Sequence, residues 1–134
     1  MTRRIELQIP NRRPYHGVAR LVLGGLAARH ELSYETLEDL QLALVTVLEG
    51  DGYATGDEVC VELDVSEDAV TMSIGPLDGH AVRAELEGSE GEELGLGRVL
   101  DTLVEEVEIE ARDDGDWLRF GKRVLGVKPT GANA

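Results

Sequence analysis

The chain has 134 residues, 42% of them hydrophobic, and its 27 acidic side chains outnumber 13 basic ones to give a formal net charge of −14. That length is enough for one domain with its own core, while a single cysteine, Cys60, excludes an internal disulfide and a cysteine-rich zinc site. The charge disfavours nucleic acid and anionic membranes as direct partners and favours basic ones. No apolar run reaches the roughly 20 residues of a membrane span, and Met1-Thr-Arg-Arg-Ile-Glu lacks the apolar region of a signal peptide. A cytoplasmic protein is expected.

Ile5, Leu7 and Ile9 alternate with Glu6 and Gln8, the period of a half-buried strand ending at Pro10. From Pro14 to Arg29, Val18, Leu21, Val22, Gly25 and Leu26 recur at helical spacing, with Pro14 suited to the first turn. Ser33 caps a second predicted helix with Leu37, Leu40, Gln41, Leu44, Val47 and Leu48 on one face, and Gly50 and Gly52 end it. A hairpin follows: Val59, Val61, Leu63 and Val65 in one strand, Val70, Met72 and Ile74 in the next, Ser66-Glu-Asp68 between. Gly75 to Glu93 is glycine-rich and acidic without sustained period, and reads as a mobile loop. A helix with Val99, Leu100, Leu103 and Val104 inward comes next. Then follow a strand from Val107 to Arg112, a turn at Asp113-Asp-Gly-Asp116 and a strand from Trp117 to Val124.

The order predicts an α+β two-layer sandwich, a mixed, mostly antiparallel sheet with helices on one face. Residues 1–125 read as a single domain and 126–134 as a flexible tail. His16, His30 and His80 lack ligand spacing, so no metal is assigned. Ser73 and Ser89 have no evident histidine partner, and the aspartates at 113–116 lack the downstream glutamate of a calcium loop. Trp117 reads as half-buried core, with partner contact as its alternative role.

The chemically suggestive segment is Leu94-Gly-Leu-Gly97 before the third predicted helix. Glycines there let the backbone approach a phosphate, and a helix N-terminus offers unpaired N–H groups to it. Close packing of helix and sheet would need the same glycines, and the sequence leaves both readings open.

Ile9-Pro10, Ala19-Arg20-Leu21, Leu37-Glu-Asp-Leu-Gln-Leu-Ala43, Ile74-Gly75-Pro76, Leu94-Gly-Leu-Gly97, Asp101 to Ile109 and Gly115-Asp-Trp-Leu-Arg119, taken in this order, resemble the anti-sigma-factor serine kinases. That family is a branch of the histidine-kinase-like ATPase fold, and the resemblance runs from Ile5 to Val124. It implies ATP bound between the second helix and the loop after the hairpin. A helix Glu would serve as base, an Asn one turn later would ligate Mg²⁺, and an Asp would accept from the adenine amino group. Aligned on Leu42-Ala43, the Glu and Asn positions hold Thr46 and Gly50, and no catalytic residue is assigned. The Asp position holds Ser73, followed by Gly75, while Leu77 replaces a second glycine of that box. The cofactor-binding candidates are therefore Ser73, Gly75, Leu94, Gly95, Leu96 and Gly97; Glu49 and Asp51 are poor substitute metal ligands, since Glu49 is rotated about 100° from Gly50 on the helix.

Losing a charge-assisted hydrogen bond costs about 1.5–3 kcal/mol, and a micromolar site holds only about −8 kcal/mol. No cofactor is expected, with weak ATP binding as the alternative. The resemblance implies a protein partner, a sigma factor or an anti-sigma-factor antagonist in a partner-switching circuit, with a homodimer left open. The alternative function is an ATP-binding serine/threonine kinase or nucleotide sensor.

Overall fold

The computed structural model describes residues 3–50, 53–87 and 96–123. Period-two alternation builds β1 (Arg3–Pro10), β2 (Glu58–Val65), β3 (Ala69–Leu77), β4 (Glu106–Arg112) and β5 (Gly115–Arg123). Helical spacing builds α1 (Arg13–Arg29) and α2 (Tyr34–Leu48) after β1, and α3 (Gly79–Glu87) and α4 (Leu96–Leu103) between β3 and β4. The sheet order is β1-β2-β3-β5-β4.

Registers such as Leu7↔Val61, Leu63↔Met72, Met72↔Phe120 and Ile109↔Leu118 put apolar residues of all five strands on one face. Leu40, Ala43, Leu44 and Val47 of α2 pack onto that face, joined by Leu23 of α1, Val82 of α3 and Leu100 of α4. The expected two-layer α+β sandwich is what forms. One correction concerns the sheet, expected to be mixed: each of its four ladders is antiparallel. The helical crossover does carry β4 back in the direction of β3, but the tight β4–β5 turn slots β5 between them, so no parallel pair meets.

A second correction falls on the segment 75–93, expected to be a loop. β3 runs on to Leu77, and Asp78 then caps α3, accepting from the Ala81 amide at 3.1 Å through Oδ1 and from the Val82 amide at 3.0 Å through its carbonyl. Val82 and the partly buried Leu86, four residues apart, give this short helix its inward face. Residues 88–93 and the tail from 126 lie outside the described residues.

The other helix ends follow their sequence signals. Ser33 Oγ accepts from the Thr36 amide at 3.0 Å and starts α2. α1 ends with the Leu32 amide bonded to the Ala27 carbonyl at 3.0 Å, while Glu31 takes φ +56°, a place usually given to glycine.

Candidate functional site

The resemblance directs attention to three places: the last turn of α2, the end of β3 and the start of α4. α2 is held by its buried face, which leaves Thr46 half-buried on its flank. The Thr46 hydroxyl donates to the Leu42 carbonyl at 2.7 Å, so its one proton is spent on its own helix. The helix closes at Glu49, whose amide bonds to the Val45 carbonyl at 2.9 Å.

Gly50 follows, and the buried ring of Tyr53 fills the space beside it. A Cβ on Gly50 would stand 2.8 Å from Tyr53 Cζ, closer than any real contact. The Tyr53 backbone is fixed as well: its carbonyl accepts from the Asp78 amide at 2.7 Å, Ala54 bridges Leu77, and Thr55 Oγ1 donates to the Pro76 carbonyl at 3.2 Å. The 53–55 segment is thereby pinned across the end of β3, and its aromatic ring lies against Gly50, the residue to which the resemblance assigns a metal ligand's place. Glu49 makes an exposed 4.0 Å ion pair with Arg13, and Asp51 lies outside the described residues.

The β3 candidates lie elsewhere. Side chains alternate along a strand; Met72 and Ile74 point into the core, and Ser73 and Gly75 face the opposite side of the sheet. Ser73 is buried between its register partners Glu62 and Arg119. Against Gly75 lies the ring of Trp117, where a Cβ would stand 2.8 Å from Cδ1. Leu77 turns back into the core. The site predicted from sequence is thus divided: Thr46, Gly50, Leu77, Leu96 and Gly97 belong to the helix side, Ser73 and Gly75 to the other.

Trp117, expected to be half-buried, is only 4% exposed. Its indole N–H donates to Asp114 at 2.8 Å, and the Arg112 guanidinium stacks 3.9 Å from the ring centroid. Arg112 also reaches Glu62 at 2.9 Å and Glu110 at 3.0 Å, and Arg4 reaches Glu62 at 2.6 Å. Burial works against the Glu62 carboxylate, but hydrogen bonds from Arg112 and Arg4 outweigh it and hold its pKa below the ordinary value. Burial, reinforced by Glu62 and Glu6, pushes the Cys60 thiol up and keeps it protonated. This face carries a charge network where a nucleotide box was expected.

At α4, Leu96 is buried in the core and Gly97 is pressed against α3. A Cβ on Gly97 would stand 2.5 Å from the Leu86 carbonyl oxygen, so close approach of the two helices requires the glycine. Leu94 and Gly95 lie outside the described residues. No cluster of metal-binding side chains occurs among the described residues, and no helix there is long and apolar enough to cross a membrane.

Sequence reasoning missed Tyr53 altogether. The chain contains five aromatic side chains, three Tyr, one Trp and one Phe. One of these directly after Gly50-Asp-Gly52 was a signal that the glycines make room for a ring.

No family model matches the chain. Over 40 residues it is 50% identical to the serine-protein kinase RsbW of Oceanobacillus iheyensis, a stretch covering 30% of this chain and 25% of that protein. Among solved structures, that of the RsbU and RsbW domains of a Mycobacterium tuberculosis protein matches with a TM-score of 0.65 at 17% identity, over 91% of this chain and 32% of that one. The chain therefore spans about a third or less of the proteins it matches. It shares the fold of the second and, over a limited stretch, sequence with the first, which ties it in part to the RsbW serine kinases.

Proposed function

We propose that the protein is a regulatory protein-binding module related to the RsbW anti-sigma-factor kinases, without kinase chemistry, that acts by partner switching with a sigma factor or an anti-sigma-factor antagonist. The observation that carries this reading is the Tyr53 ring seated on Gly50, at the position where the family motif calls for a Mg²⁺ ligand. Support also comes from Thr46, whose hydroxyl proton is committed to Leu42, and from Trp117 lying over Gly75. These residues do not fit a Mg²⁺–nucleotide: none supplies a carboxylate base or an amide oxygen there. A retained scaffold without that chemistry leaves binding as its role, and the −14 charge suits a basic partner surface.

The test is to present the purified protein with sigma factors and antagonists from its own genome, following binding by interferometry and phosphate transfer by mass spectrometry. Binding without transfer is expected. A phosphorylated antagonist would overturn the reading.

The second reading, an ATP-dependent kinase or nucleotide sensor, is favoured by the name of the 50% identical relative, a serine-protein kinase. A nucleotide that acted through residues 75–93 would slow their amide exchange; unchanged exchange in saturating ATP removes it.

A further inference from the structure

The sheet ends on β4, and β4 pairs with β5 alone. In an antiparallel ladder each strand turns only every second pair of N–H and C=O groups toward its neighbour, so the rest of the β4 backbone groups point away from the sheet. Among the described residues no backbone hydrogen bond from outside the sheet reaches Glu106–Arg112. The side chains record the same opening. Val107 and Ile109 pack on the core yet stay half-buried, whereas their ladder partners Phe120 and Leu118, one strand further in, are each 1% exposed.

Edge strands commonly block the addition of another strand with a proline, a bulge, a lysine or a covering loop. Glu106–Arg112 holds no proline, glycine or lysine, and its seven pairs with β5 run without a register shift. β1, at the other edge, ends at Pro10 and mixes Arg3 and Arg4 with Glu6. On β4, by contrast, Glu106, Glu108 and Glu110 alternate with the apolar residues and share the opposite face of the sheet. The strand's one cation, Arg112, is turned over Trp117 and held by Glu62.

We propose that β4 docks an extended segment of a partner protein as a sixth strand, one in which Lys or Arg alternates with apolar residues. The backbone of that segment completes the open row of hydrogen bonds. Its apolar side chains cover Val107 and Ile109, and its cations stand opposite Glu106 and Glu108. Glu106 makes no ion pair with any described residue. Glu108 is 3.1 Å from Arg119, but both are exposed, and a surface pair of this kind contributes little and yields to a new partner. The same glutamates select against other occupants. An acidic strand, a second β4 included, places carboxylates opposite carboxylates, and the −14 charge of the chain repels it at a distance.

NMR titration of the full chain, isotope-labelled, with a soluble peptide of alternating lysine and valine tests this, with amide exchange followed across Glu106–Arg112. Slowed exchange at every second β4 amide is expected, with binding that loosens as salt is added. Two control peptides separate strand pairing from charge. One has glutamate in place of each lysine; the other is N-methylated throughout, which keeps every charge and removes every backbone donor. Each should bind at least about tenfold more weakly. Glu106→Lys combined with Glu108→Lys, at exposed positions and checked for folding by circular dichroism, should weaken the lysine peptide by a similar factor and strengthen the glutamate peptide, a reversal that unfolding does not produce. Unchanged β4 exchange in millimolar lysine peptide overturns the proposal, and so does equal binding of the N-methylated peptide; neither result touches the partner-switching reading, which is tested with other proteins.

Discussion

At Gly50 the backbone is bare because the Tyr53 ring occupies the space a side chain would need. Gly50→Asn, the substitution that writes the family's metal ligand back into the sequence, should therefore destabilise the fold by about 1–3 kcal/mol through overpacking. Denaturant unfolding with and without Mg²⁺ checks this; stability equal to wild type, or rescue by Mg²⁺, would count against the packing account. His16 is a different case. Its Nε2 lies 3.0 Å from Asn11 Oδ1, and its Nδ1 is buried without a hydrogen-bond partner among the described residues. Burial pushes its pKa down, against the opposing field of Glu49 from α2, while Arg13 on its own helix pushes the same way as burial. The folded state then binds this proton less readily than the unfolded chain. Stability is full above about pH 6.5, the unfolded value, and declines as the pH falls toward the lower folded value. Thermal midpoints between pH 8 and 5 should show that decline, and His16→Gln should flatten it; identical slopes would remove His16 as the cause.

Among the elements, most were legible because one physical signal dominated each. β1, β2 and β3 alternate cleanly, and α2 has both its Ser33 cap and a long apolar face. α3 escaped notice because its two inward residues, Val82 and Leu86, are too few to set a period within an acidic, glycine-rich stretch. Its clearest mark was Asp78 ahead of Ala81, a cap without an evident helix behind it. Asp78→Ala should cost about 1 kcal/mol and speed amide exchange across 79–87; unchanged exchange would show that packing alone holds the helix. Glu31, held at φ +56° at the end of α1, should conversely be improved by glycine. A gain of about 1 kcal/mol in Glu31→Gly, read by denaturant midpoint, is expected, and a loss would contradict the cap as described. The candidate site was less legible than the fold for a reason of register. A motif read along the chain does not reveal that Ser73 and Gly75 face one side of the sheet while Thr46 and Gly50 stand on the other. Nor does it reveal that Trp117 and Tyr53, distant in sequence, come to rest against two of its glycines.

For the molecule as a whole, the core is intact, and Gly50 and Gly75, to which the resemblance assigns metal and purine contacts, are packed against the rings of Tyr53 and Trp117. Tyr53, Trp117 and the Leu86 backbone lie against Gly50, Gly75 and Gly97 respectively. The proposed role needs no nucleotide chemistry. Isothermal titration with ATP and with ADP, each with and without Mg²⁺, tests it most directly. No binding heat up to millimolar nucleotide is expected; a saturable micromolar site, above all one that requires Mg²⁺, would rule out a role without nucleotide chemistry.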